Sequence, residues 1–107
     1  MSDGVVLVRD KDELIIQIQG RFTFHIQKEF RTVVDNAVAE GPTTPLTIDM
    51  HRANYIDSAA LGMLFLLKEQ AGEARPLKII HANETVLKIL KAAYLNELFI
   101  IPQLGGS

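Results

Sequence analysis

Residues 46–64 read "LTIDMHRANYIDSAALGML", and the way this stretch divides decides the fold. Its head, Leu46-Thr47-Ile48-Asp49-Met50, alternates and carries β-branched residues, which predicts a strand. Its tail, from about Ser58, holds no charge until Lys68 and predicts a helix reaching about Ala71. Between them, His51-Arg52-Ala53-Asn54 reads as a polar loop. Two polar residues, Asp57 and Ser58, stand where the apolar helix begins. They pose the functional question: is the pair only a helix cap, or is the hydroxyl a chemical site?

Working outward gives the rest of the chain. Val5-Val6-Leu7-Val8 predicts a first strand, and Asp10-Lys11-Asp12 a polar turn. Leu14, Ile16 and Ile18 alternate with Ile15, Gln17 and Gln19, the period of a strand with one buried face, which Gly20 ends. From Phe24 the period lengthens: Ile26, Phe30, Val33, Val34, Ala37 and Val38 line one side of an amphipathic helix. Thr23 is its expected N-cap, and Gly41-Pro42 stops it. After the break at Gly72–Pro76, Leu77-Lys78-Ile79-Ile80 predicts a fourth strand. Asn83 then caps a helix bearing Val86, Leu87, Leu90 and Ala93, and Leu98-Phe99-Ile100-Ile101 predicts a last short strand. The order β-β-α-β-α-β-α-β is that of an α/β domain with right-handed crossovers and a small mixed sheet flanked by helices. One domain is expected over residues 1–107, with 1–4 and 103–107 as flexible ends.

Composition narrows the function classes. With 48% hydrophobic and 22% charged residues the chain is globular. It has no cysteine, which removes disulfides and thiolate chemistry. The 11 basic residues are scattered and the net charge is -2, so no nucleic-acid partner is expected. The longest apolar run, Ala59 to Leu67, is too short to cross a bilayer, and the start Met1-Ser2-Asp3-Gly4 is polar. The expectation is a cytoplasmic protein with no direct membrane insertion.

No phosphate-binding glycine loop, nucleophile elbow or paired-histidine metal motif occurs, so no cofactor or metal is expected. His51 and His81 are the histidines that topology brings nearest to Ser58, but a catalytic serine also needs an oxyanion loop, and none is visible. Capping needs only one acceptor, which leaves one of the Asp57-Ser58 pair unexplained. The helix that follows is apolar on all sides in its first half, so it is covered by neighbours or offers a patch to a partner. Gly62 costs such a helix about 1 kcal/mol relative to alanine, and close approach of another backbone accounts for that. Phosphorylation of Ser58 would add about -1.5 to -2 charges at a helix N-terminus, which accommodates them, while opposing any partner that buries the patch.

Three segments resemble the STAS domain family, in particular stand-alone bacterial anti-anti-sigma factors. "IQIQGRFTFHIQKEFR" resembles the family's second strand, Gly-x-[Leu/Phe]-Asp turn and first helix, with Thr23 in place of the aspartate. "LTIDMHRANYIDSAALGML" resembles its third strand and Asp-Ser-[Ser/Ala]-Gly-x-Gly segment, with Ala59 and Ala60 after the serine. "LKIIHANETVLKILKAAYLNELF" resembles the fourth strand and third helix. The resemblance implies that Ser58 is phosphorylated by an anti-sigma factor with serine kinase activity. The unphosphorylated chain would bind that kinase and free a sigma factor, and a metal-dependent serine phosphatase would reset it. It implies no catalysis by the chain itself. The implied partner-binding residues are Thr23, Phe24, Asn54, Tyr55, Asp57, Ser58, Ala59, Leu61 and Gly62. Some STAS-like domains instead serve as constitutive accessory subunits of transporters or lipid-transfer complexes, the alternative class.

Overall fold

The alternating residues 14–19 form the second strand of a four-stranded sheet in the computed structural model of the protein, which describes residues 3–104. Strand β1 (Gly4–Asp10) turns through Lys11 into β2 (Glu13–Phe22), antiparallel, with Leu7 opposite Ile16. Lys11 has φ 57, the left-handed conformation that two-residue hairpin turns need. There follow α1 (Gln27–Val38), β3 (Leu46–Ile56), α2 (Ser58–Ala71), β4 (Leu77–Ile80) and α3 (Glu84–Ala92). The strands lie in the order β1-β2-β3-β4, with β2, β3 and β4 parallel.

Each parallel connection steps in the same direction across the sheet. Right-handed crossovers therefore place α1 and α2 on the same face, and the step from β4 to a single parallel bridge at Ile100 carries α3 there too. Burial agrees. Ile16, Ile18, Ile48, Met50 and Ile79 are fully enclosed, whereas Gln17, Asp49 and Ile80, on the opposite face, stay half-exposed. Each enclosed aliphatic side chain contributes about 1.5–3 kcal/mol relative to exposure. Phe30 of α1 meets Phe22 at the end of β2 with ring centroids 5.1 Å apart, which seats the helix over the carboxyl end of that strand.

Three expectations change. His51–Asn54 is strand, not loop: β3 continues to Ile56, pairing Arg52 with Gln19 and Ile56 with Phe22 across two bulges. Backbone pairing with β2 overrides the polar side chains, which point outward while Ala53 and Ile56 are buried. Gly20 does not end β2 but bends it. Its φ is +72, and an added Cβ would come within 3.1 Å of Asp3 Cα, so the bend admits only glycine. The last strand is reduced to the Lys78–Ile100 bridge, because Pro102 follows at once and opens a 3-10 turn, Pro102–Leu104.

Asp3, Gly4, Gln103 and Leu104, expected to lie in flexible ends, belong to the ordered fold. Asp3 accepts the Arg21 backbone N–H at 2.9 Å and its guanidinium at 3.0 Å, bonds that hold its carboxyl below the usual range. Gln103 exchanges two hydrogen bonds with the Ala82 backbone, at 2.8 and 2.9 Å. Residues 1, 2 and 105–107, including the expected loose Gly-Gly-Ser tail, lie outside the described residues.

Arg75, only 3% exposed, closes the end of α1. Its guanidinium donates to the carbonyls of Thr44 at 3.0 Å and Val38 at 3.1 Å, and to Gly41. Among the described residues it has no carboxylate partner, so the carbonyls at the helix C-terminus carry the compensation for its burial. Arg75→Ala is expected to cost about 2–4 kcal/mol in chemical denaturation. Arg75→Lys should recover less than half of that, since one ammonium cannot span three carbonyls.

Candidate functional site

The parallel strands β2, β3 and β4 deliver the starts of all three helices to one end of the sheet, the usual position for sites in such folds. Asp57, the residue after β3, organises this end. Its backbone is extended, with φ -113 and ψ -178, as an N-cap requires. Oδ1 accepts the Ala60 N–H at 2.9 Å and caps α2. Oδ2 accepts the Phe24 N–H at 3.3 Å, at the head of a 3-10 turn, Phe24–Ile26, that leads into α1. Asp57 also donates its own N–H to the Phe22 carbonyl at 3.3 Å. One carboxylate thus fixes two chain reversals, after β2 and after β3. Asn83 repeats the device at α3: Oδ1 accepts the Val86 N–H at 2.8 Å.

Thr23 does not cap the first helix. Its hydroxyl makes no capping bond, and its Oγ1 is enclosed without a partner. The helix start is served instead by the Asp57 carboxylate, which accepts the Phe24 N–H. Thr23 is 7% exposed, so it also lies beneath the surface assigned to it.

The Ser58 hydroxyl is left over. It is exposed at the first position of α2 and has no hydrogen-bond partner among the described residues. Around it, Asn54 and Gly62 are exposed, Ala59 and Leu61 are half-buried, and Phe24 and Tyr55 are 65% and 49% exposed. Eight of the nine residues singled out from the sequence are thus at least partly exposed, and Thr23 is buried. Helix α2 resolves the either-or of its apolar run in both ways. Ala60, Met63, Leu64 and Leu67 are buried, while Phe65 and Leu66, which the sequence reading did not assign to the surface, are 42% and 55% exposed. The signal for them was already present as the lack of charge before Lys68.

The backbone-approach account of Gly62 changes as well. An alanine Cβ built there meets nothing within 4 Å, so no element among the described residues needs the glycine. The histidines do not serve Ser58. His81, in the left-handed region at φ 62, sets Nδ1 3.1 Å from Asp49 Oδ1, and the His51 ring stands edge-on to it at 5.8 Å. The two rings face each other beside Asp49, and neither bonds the Ser58 hydroxyl among the described residues. Among the described residues no group of three His, Asp or Glu side chains could hold a metal ion, and no helix is long and apolar enough to cross a membrane.

Comparison with known proteins follows this geometry. A family model described as "Mlab, STAS domain" matches residues 5–102. A STAS-domain containing protein of Pseudomonas aeruginosa is 41% identical over 93 residues, covering 86% of this chain and 90% of that protein. Among solved structures, an anti-sigma factor antagonist from Mycobacterium paratuberculosis superposes with a TM-score of 0.83 at 15% identity, covering 94% of this chain and 85% of that one. The anti-sigma factor antagonist SpoIIAA in its unphosphorylated form gives 0.75 at 19% identity, with 92% and 87% covered. The Bacillus SpoIIAA in its phosphorylated form gives 0.67 at 17%, with 92% and 90% covered. These structural likenesses establish the fold.

The division of labour between the two residues is measurable in urea. Asp57→Ala should lose about 1–2 kcal/mol, because two backbone N–H groups lose their acceptor. Ser58→Ala should stay within about 0.5 kcal/mol of wild type, as an exposed side chain that bonds nothing.

Proposed function

The chain belongs to the STAS domain family, and we propose that within it the chain is an anti-anti-sigma factor, a binding module gated by phosphorylation of Ser58. The observation that carries this reading is the separation of cap from hydroxyl. Asp57 takes the structural task, so Ser58 is free to be modified without loss of a bond that the fold uses. A phosphate at the first position of a 14-residue helix meets the N–H groups and dipole that favour it.

The consequence for a partner is the opposite. Phe24, held to Asp57 through its N–H, and Tyr55, two residues before Asp57, are exposed near Ser58, and a partner that covers them must strip water from whatever Ser58 carries. A dianion next to Asp57 resists that. A penalty of about 3 kcal/mol weakens binding on the order of a hundredfold. SpoIIAA, an anti-sigma factor antagonist, has been solved in unphosphorylated and phosphorylated forms, and this chain superposes on both. That supports a switch that alters surface charge more than fold. On this reading the unmodified chain sequesters an anti-sigma factor with serine kinase activity, releasing a sigma factor. A metal-dependent serine phosphatase restores the binding form, and the chain contributes no catalysis of its own.

Titration of the purified kinase-type anti-sigma factor from the same cell checks the reading. Ser58→Ala should bind within about threefold of wild type and accept no phosphate, while Ser58→Asp should bind at least about tenfold more weakly. Equal affinity for Ser58→Asp and wild type would instead mark a constitutive accessory subunit.

A further inference from the structure

The two edges of the sheet are finished differently. Beyond β4, Ile100 accepts the Ile79 N–H at 2.9 Å and donates to the Leu77 carbonyl at 2.8 Å, which closes that edge. Beyond β1 no strand follows among the described residues. Exposed edges are normally blunted by lysine, proline or a bulge, because their unpaired backbone groups recruit other strands. Gly4-Val5-Val6-Leu7-Val8 carries no charge and no proline, and β1 pairs with β2 without a register shift. Val6, on the sheet face away from the helices, is 43% exposed.

The hairpin fixes which backbone groups of β1 are free. Asp10 and Glu13 close the two-residue turn, and a closing pair of this kind exchanges hydrogen bonds. By alternation, Val8, Val6 and Gly4 also bond β2, while Arg9, Leu7 and Val5 aim their N–H and C=O groups outward. An antiparallel second β1 centred on Leu7 matches this set: Val5 meets Arg9, Leu7 meets Leu7, and Val6 lies against Val8. Charge favours the same register. Arg9 pairs with Glu40 at one end of the edge. At the other end Glu29 Oε2 stands 3.5 Å from where a Gly4 Cβ would be, with no cation paired to it among the described residues. The two-fold register sets Arg9 of one copy opposite Val5 of the other, beside that Glu29. Asp10 falls opposite Gly4 with Lys11 next to it, so the charges of the turn offset each other. In-register parallel pairing would instead oppose Arg9 to Arg9.

We propose that this edge is a self-association surface, on which a second copy of the chain adds its β1 antiparallel about a two-fold axis at Leu7. The two sheets then run on as one, each Arg9 lying between its own Glu40 and the other copy's Glu29. The surface is isologous, so it closes after two copies and does not propagate. Helix α1 packs against both β1 and α2, so the joined edge lies across α1 from α2 and leaves Ser58 open. The inference does not depend on the role of Ser58. A contact made by one strand edge is at the small end of specific interfaces, which makes the dimer weak and concentration-dependent.

Sedimentation equilibrium of the purified chain from about 1 μM to 1 mM tests this. Wild type should pass from monomer to dimer within that range. Val6→Lys with Val8→Lys sets like charges opposite each other and should weaken the dimer at least about tenfold, while Val6→Lys with Val8→Glu should recover most of the loss. Glu29→Lys should weaken it about threefold or more. The chain has no cysteine of its own, so engineered thiols report the register directly. Val6→Cys and Val8→Cys copies should form a disulfide when mixed, across about 4.5 Å between Cα atoms. Neither should crosslink alone, because like positions stand about 8 Å apart, beyond disulfide reach. A chain that stays monomeric to about 1 mM would overturn the proposal. So would a dimer that the double-lysine variant or Glu29→Lys leaves unweakened, or thiols that crosslink no faster mixed than alone.

Discussion

The functional end of the molecule depends on one carboxylate. Asp57 ends β3, accepts the Ala60 N–H that starts α2 and the Phe24 N–H that starts the turn into α1, and donates its own N–H to Phe22. Two strand-to-helix reversals are thereby tied at a single residue. Each bond alone is worth about 1 kcal/mol net, yet leaving the N–H groups unpaired would cost more than the bonds gain. The same ties decide which side chains are presented. Phe24 is held outward, Thr23 is turned beneath the surface, and Ser58 is carried to the head of α2 with nothing to bond.

That arrangement makes sense of a sequence position that looked redundant. With two potential caps side by side, either could have been structural. The geometry gives the task to Asp57 twice over, and the hydroxyl acquires its freedom from that assignment. On the proposed reading, a phosphate on Ser58 would be stabilised by the dipole of the helix end and opposed by any partner surface that covers it. A switch of this kind needs no moving part in the STAS domain.

Much of this was legible in the residues. Leu14, Ile16 and Ile18 announced a one-sided strand, and they are buried as their period requires because all three helices lie on one face. Asn83 announced its cap and performs it. The misses have a common cause, which is that side-chain polarity is a poor guide where backbone pairing decides. His51-Arg52-Ala53-Asn54 looks like a loop, yet β2 continues beside it and holds it in the sheet. Gly20 looks like a stop, yet a bulge lets the strand run two residues further. Thr23 has the chemistry of a cap, but the acceptor that reaches Phe24 comes from 33 residues away in the chain, a distance that no local pattern reports. The emptiness around Gly62 was likewise invisible, because it is a property of what fails to pack there.

The most direct test of this account is native-state hydrogen exchange on chain carrying phosphoserine at position 58. If Asp57 alone holds the two reversals, the Phe24 and Ala60 amides keep the protection they have in the unmodified protein. Loss of protection at those two amides on phosphorylation would show that the hydroxyl and the cap are one device, and would contradict the separation on which the functional reading stands.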